Sequence, residues 1–501
     1  MIKTIKRENI YKYFFYFFLF SIPLQTRKVF LTDFSFATGD FTEYGTIFLY
    51  LSDVLLLLSF ASATLFNQKL IKSALSELKS KSGNGEISSV FCALFILVVW
   101  FFISAVANQG YLEISLFRSF KIVEMFLLVF FVFAIMKDKI SFISSLFVIV
   151  ISSYFQSILA IYQFLYQVNL FSSPLTHKLT GESILAPNLP GIAKVGGEGE
   201  KMIRAYGTFP HPNLLGGFIL FAFFISLYLY IEHKYYDLSS IPPRLRAYNK
   251  VFQKYFKSIF WSLIFTAQLL ALTLSFSRSA WLGFMIGSIV FAILTHNRIK
   301  IVSRETIKKT LLYKYKELAF SILFIVCLVI GNFNLISDRI SQDISNPDSS
   351  KSQSVSLPKN DTFEDRSFFN NVSRETISRN PLFGSGPGTS VFQIKPFLDK
   401  AIKNQIIEPW QYQPPHNIYS LSTSEIGIIG FIILIYIVIG AIKYSIKKIV
   451  SRETISNEKF FRAGTFSILV GFIFIGFFDH YLWTLQQGQI IFWITIGMLL
   501  I

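Results

Sequence analysis

The sequence predicts an all-α fold: a polytopic integral membrane protein with about twelve transmembrane helices and a large outer-face loop between the ninth and the tenth. Three observations lead there. Of the 501 residues 52% are hydrophobic and only 15% are charged, against about 25% charged in soluble domains. Apolar runs such as Tyr50 to Phe66, Phe91 to Ala105, Phe218 to Ile231 and Ile428 to Ile442 reach or approach the roughly 20 residues that cross a hydrocarbon core. Several have no polar face, so they read as bilayer spans and not as core helices of a soluble fold. The third observation is the placement of the positive charge.

Spans are expected near 13–26, 44–66, 88–106, 119–135, 141–168, 211–231, 257–274, 280–295, 317–335, 425–442, 463–479 and 486–501. The connections on the N-terminal side, 1–13, 67–87, 136–141, 232–257, 296–316 and 442–462, hold 29 of the 47 Lys and Arg in 108 residues. By the positive-inside rule that side is cytoplasmic, and with it both termini. The net charge of +17 is therefore a topology signal, and no nucleic-acid partner is needed to explain it.

Lys3, Lys6 and Arg7 precede the first apolar stretch as in a signal peptide, but no small-residue cleavage site follows, so a retained first span is expected. Cys92 and Cys327 both fall in expected spans and read as free buried thiols, with neither a disulfide nor a thiolate metal site. The organisation is then 1–335 for the first nine helices, with an outer loop at about 169–210, 336–424 for the large outer loop with short helices, and 425–501 for the last three helices. Within the large loop, 343–361 is rich in Ser, Asp, Asn and Lys and reads as a flexible linker. The turn-rich segment Asn380-Pro-Leu-Phe-Gly-Ser-Gly-Pro-Gly388 follows. Its Gly384-x-Gly386 lacks the strand–turn–helix context of a phosphate loop.

A hexapeptide, Val-Ser-Arg-Glu-Thr-Ile, recurs at 302–307, 372–377 and 450–455. Its spacing is too irregular for a repeat array. Copies on both sides of a membrane point to the DNA: GTTTCACGTGAAACA encodes Val-Ser-Arg-Glu-Thr and resembles the site of chromosome-partition proteins. A mobile element tolerated in loops is the alternative.

Ionisable groups near lipid are costly without a partner or a task. Arg204 heads Arg204-Ala-Tyr-Gly-Thr-Phe-Pro-His-Pro-Asn213, Arg278 lies between two spans in Ser275-Phe-Ser-Arg-Ser-Ala-Trp-Leu-Gly283, and His416 precedes Asn417 and Glu425. All three fall on the outer face. An arginine fork holds phosphate oxygens and keeps its charge, so two can bind a diphosphate without a metal. Histidine can accept the proton of an attacking hydroxyl. Bland readings stand beside these: Arg204 and Arg278 as snorkelling residues, His211 as packing within its Pro-His-Pro turn, and His177, His233 and His296 as caps or surface residues, while Asp479 and His480 either pair structurally, the favoured reading, or join the site.

Taken together, Arg204 to Asn213, Ser277-Arg-Ser-Ala-Trp-Leu-Gly283, Asn380 to Gly388, His416-Asn-Ile-Tyr419 and Glu425-Ile-Gly-Ile-Ile-Gly430 resemble the O-antigen ligase and polymerase superfamily. The specific motifs run from about residue 200 to the end; the N-terminal third is similar by hydropathy only. The resemblance implies a membrane-embedded inverting glycosyltransferase of the bacterial cytoplasmic membrane, with no cofactor or metal and its active site on the outer face. Its donor would be a polyprenyl-diphosphate-linked glycan and its acceptor a glycan, lipid or protein hydroxyl, giving a ligase, a polymerase or a protein O-oligosaccharyltransferase. Carried over, His416 matches the base and Arg204 and Arg278 the diphosphate-binding arginines, with His211, Asn213, Asn417 and Glu425 in support. The segment before Asn380, apolar in the family, is here more polar because it holds the second hexapeptide. A rival from another class is a transporter of the same lipid-linked glycan, which should keep its ionisable residues near the midplane and show repeated halves.

Overall fold

Backbone N–H and C=O groups surrounded by lipid must be satisfied within their own segment, which makes helices the natural solution for so apolar a chain. The computed structural model describes residues 7–79, 85–136, 138–169, 185, 192–195, 201–235, 243–299, 363–401, 412–451 and 456–501. Helix α1 (Ile10–Ser21) leads into a hairpin of β1 (Arg27–Phe30) and β2 (Ile47–Tyr50), antiparallel with Arg27 opposite Tyr50. Helices α2 (Leu51–Phe66), α3 (Gln68–Lys79), α4 (Gly85–Ala107), α5 (Leu112–Ile135) and α6 (Lys139–Tyr166) follow. A two-residue ribbon, β3 (Lys194–Val195) against β4 (Met202–Ile203), precedes α7 (Pro212–Tyr235), α8 (Pro243–Leu274) and α9 (Arg278–Ile299). The remainder comprises α10 (Phe363–Arg379), α11 (Ile394–Ala401), α12 (Ile418–Val450), α13 (Ser456–Ile475), the single turn α14 (Tyr481–Thr484) and α15 (Gln486–Leu499).

The expected count of about twelve spans does not hold. Among the described residues five helices are long and apolar enough to cross a membrane, α4, α6, α7, α9 and α12, and a sixth if α2 and α3, bent by 95° at Asn67, are one broken span. The reasons are length and charge. With 12 and 14 residues, α1 and α15 reach only about 20 Å at 1.5 Å per residue. Helix α5 carries Glu113, Arg118, Lys121 and Glu124, and α13 carries Glu458, Lys459 and Arg462. In α8 the basic first half leaves only Ser258–Leu274 apolar. The span expected at 317–335, the linker at 343–361, Cys327, His177 and the first hexapeptide lie outside the described residues, as do the side chains of His233 and His296. Cys92 is a free thiol, but it faces outward from α4 and is exposed instead of buried.

Helix α7 is the hub: the whole of its spanning stretch, Pro212–Glu232, is buried, as expected of a helix apolar on every side. Phe218, Phe221 and Phe224 fill the space towards Phe209, Phe472 and Phe284. Elsewhere α2, α5 and α15 are tied by a buried polar cluster. Lys121 pairs with Asp53 and, at 3.2 Å, with Glu124, while Gln486 donates to Asp53 at 2.5 Å.

Hydrogen bonds between segments sort the polar features into two ends. At one, Lys12 meets Asp138 and Lys447 meets Glu86, each at 3.0 Å. At the other, the residues after α1, the ends of α6 and α8 and the start of α7 converge on residues 204–213, and the start of α12 is bonded to the end of α13 through Ile418 N and Gly476 O, 2.8 Å. That second end carries the site.

Candidate active site

The segment from Arg204 to Asn213 has little regular structure, so its backbone groups need partners from elsewhere. Two glutamines of α6 supply them. Gln163 accepts from the N–H groups of Tyr206 and Gly207 and donates to Gly207 O at 2.8 Å. Gln156 accepts from Thr208 N at 2.9 Å, and Gln25 donates to Thr208 O at 2.6 Å. Ala205 N completes the clamp on Leu274 O.

Arg204 is thereby held 4% exposed, with Nε donating to Ser275 O at 2.8 Å and Nη2 to Asn213 Oδ1 at 2.6 Å. The carbonyl it holds belongs to the tight turn between α8 and α9, where Phe276 adopts a φ of 47°, an uncommon conformation for a bulky residue. Arg278, half-buried, is the first residue of α9 and stands at the positive end of that helix.

From Asn213 the connections continue. Its Nδ2 donates to Asp479 Oδ2 at 2.6 Å, and Asp479 Oδ1 accepts from His480 N at 2.8 Å. His480 Nδ1 lies 2.7 Å from Thr484 Oγ1. His416 packs against this pair, its ring centroid 5.0 Å from that of His480, and the polar atoms of His416, Asp479 and His480 all lie within 4.8 Å of one another. Of the two readings of Asp479 and His480, a structural pair or members of the site, the geometry is compatible with both: they touch each other and lie beside His416.

The supporting residues divide in two. His211 and Asn417 are caps: His211 Nδ1 accepts from Asn213 N at 3.2 Å, and Asn417 Oδ1 accepts from Tyr419 N and Ser420 N at 3.0 Å. Capping by Asn417 is what sets His416 at the mouth of α12. Glu425 is buried two turns further along, accepting from Trp483 Nε1 at 2.8 Å and from Ser390 N at 3.4 Å.

Just beyond Glu425, α12 breaks. Gly427 has φ 71° and ψ 176°, and the carbonyls before it are taken by other segments. Ser424 O accepts from Ser385 N, Glu425 O from Gly386 N, and Ile426 O from Trp100 Nε1, while Ile428 N donates to Pro381 O, all at 2.8–2.9 Å. The segment Asn380 to Gly388 is thus the missing partner of a broken helix. A Cβ on Gly427 would lie 2.0 Å from Leu382 O, and one on Gly384 2.4 Å from Glu425 O, so the two backbones meet only because both positions are glycine. Phe383 stacks on Trp100 at 5.3 Å. Behind the loop, the second hexapeptide runs as helix in α10, with Val372 buried beside Phe368, Phe369, Ile394 and Leu398.

Two groups escaped the sequence reading. Arg118, near the start of α5, donates through Nη1 to Thr484 O at 3.1 Å, and its stem passes the loop at Gly388. The α6 glutamines are the other. Arg118 in an apolar stretch was a detectable signal, since such a charge is expensive near lipid; nothing in the sequence links Gln156 or Gln163 to residues forty or more positions away.

Residues 262–435 match the family model described as O-antigen ligase, and the match takes in Arg278, the segment Asn380 to Gly388, His416 and the helix break at Gly427. Over that stretch the chain is similar to the O-antigen ligase and polymerase superfamily. No curated protein matches it. The match supports a family-level activity, that of a membrane glycosyltransferase of polysaccharide assembly. Within this O-antigen ligase-like chain, Arg204, Asp479, His480 and Arg118 lie outside the matched stretch, yet the fold brings them to the same end as His416.

As for metals, His416, Asp479 and His480 have the spacing of a cation site. Both Asp479 oxygens already accept hydrogen bonds and His480 Nδ1 faces Thr484.

Proposed function

We propose that the protein transfers a glycan from a polyprenyl diphosphate to an acceptor hydroxyl at the outer face of the cytoplasmic membrane, by one inverting displacement that uses no metal. His416 is the base. As the acceptor oxygen bonds to the anomeric carbon, the bond from that carbon to phosphate breaks, the electron pair leaves with the diphosphate, and the acceptor proton passes to His416. The observation that carries this reading is the Asp479 carboxylate beside His416: a negative charge at that distance stabilises the imidazolium that forms.

Arg278, at the N-terminus of α9, would hold the diphosphate with its fork and the helix dipole. Arg204 adds a fixed positive charge behind it and holds the turn that carries Arg278. A diphosphate so neutralised leaves without a general acid. The charge bias supports the outer face, because the opposite end carries Lys12, Lys447 and Lys459. Lipid A core, a growing polysaccharide and a protein hydroxyl share this chemistry, and they differ in what binds next to His416. The test is transfer by purified protein in lipid nanodiscs: His416→Ala should lose transfer and keep lipid-linked donor binding, and retained transfer would rule out the base.

A further inference from the structure

A cleft of about 600 Å³, counting space open to solvent, lies against α14, lined by Leu482, Trp483 and Thr484. Its walls are aromatic: Tyr44, Phe101, Trp483 and Trp493. Two charged groups enter it, Arg118 and Glu425. They differ in what they still have to offer. Glu425 is engaged through both oxygens by Trp483 and Ser390. Arg118 uses Nη1 on Thr484 O, and its Nε is buried with no acceptor among the described residues. A buried guanidinium N–H without an acceptor is unfavourable, and the residual valence of this cleft is therefore for an oxyanion.

The position of the cleft is as informative as its lining. Hydrogen bonds run without interruption from Ser275, three residues before Arg278, through Arg204, Asn213, Asp479 and His480 to Thr484 and so to Arg118. His416 packs on the middle of that path. The path thus joins the turn before Arg278 to the cleft at Arg118 by way of the residue that His416 packs on.

We infer that this cleft binds the acceptor, and that the acceptor presents a sugar bearing a carboxylate or phosphate, its ring against the indoles and its oxyanion on the Arg118 fork. Aromatic faces paired with a few placed polar groups are the usual composition of a small-ligand site, and a guanidinium prefers an oxyanion to a neutral hydroxyl. The loop has a part in this: a Cβ on Gly388 would lie 2.6 Å from Arg118 Cγ, so the glycine leaves room for the arginine to reach the cleft. The word acceptor rests on the transfer reading above; binding of the anionic sugar does not.

The experiment titrates full-length protein, in phosphatidylcholine nanodiscs, with methyl glucuronide and methyl glucoside, followed by tryptophan fluorescence. The glucuronide should bind about tenfold more tightly or better, the worth of a hydrogen bond to a charged group. Arg118→Ala should abolish the preference, Arg118→Lys should keep part of it, and Arg278→Ala should keep all of it. Equal binding of the two sugars by the unaltered protein, or a preference that survives in Arg118→Ala, overturns the inference. So does a preference erased by phosphatidylglycerol in the disc, which would assign Arg118 to a lipid headgroup. Should Arg118→Ala fail to elute as a single species, the Lys variant carries the comparison. Glucuronide preference in a protein that transfers no glycan would leave this inference standing and remove the transfer reading; transfer without the preference would do the reverse.

Discussion

The two ends of the helix bundle hold their charges in different ways. At the basic end, Lys12 with Asp138 and Lys447 with Glu86 are single, solvent-touched pairs, each joining two segments. At the polar end, Arg204, Asn213, Asp479, His480, Thr484 and Arg118 are connected through buried or half-buried groups from three separate stretches of chain. The first arrangement needs only charge on the correct side, and exposed pairs of that kind contribute little. The second needs geometry, because each member fixes the orientation of the next.

That contrast can be broken at either end. The largest effect belongs to His416→Ala, which should lower transfer by about 10²- to 10⁴-fold, read as product formed from lipid-linked donor; Lys447→Ala at the basic end should change it by less than about twofold. Next comes Arg278→Lys, which retains charge and loses the fork. An expected fall of about 10- to 100-fold in transfer would, if absent, argue against bidentate diphosphate binding. Gly427→Ala probes geometry without touching a charge: the left-handed φ and the approach of Leu382 O to 2.0 Å of a new Cβ should cost at least about 1–3 kcal/mol, seen as a lowered unfolding temperature.

A smaller effect is expected at Asp138. The Ser141 hydroxyl, followed by Lys12, holds its carboxyl below the ordinary value. A depressed folded-state pKa stabilises above the unfolded value, about 3.9, and the contribution is lost as pH falls through the folded one. Asp138→Ala, which also removes the cap on α6, should therefore cost about 1 kcal/mol at neutral pH and less in urea titrations below pH 4. Last, a chelator should leave transfer unchanged. Loss on chelation, restored by a divalent cation, would turn His416, Asp479 and His480 into a metal centre and remove His416 as the base.

Much of this was legible beforehand, and the failures have physical causes. Among the described residues helices occur where the apolar runs predicted them, since an apolar run near lipid has few alternatives. Their number as spans was overcounted because hydropathy does not separate a 12-residue core helix such as α1 from a crossing one. His416 and Arg278 were readable as costly groups at helix starts. Asp479 and His480 could be read either as a structural pair or as part of the site, because their place beside His416 depends on the approach of α13 to α12, which no spacing records. Arg118 was passed over inside Leu112–Ile135, where three further charges gave it the look of a flank.

The break at Gly427 also bears on how the protein is made. Residues 380–388 are synthesised before α12, and so are already available when that helix emerges with its carbonyls at 424–426 unmet. The order of translation delivers the partner ahead of the need. Chain insertions between residues 388 and 416 would leave that order intact, whereas moving the segment after α12, as in a circular permutant, would expose the open turn to lipid until the far end of the chain arrived.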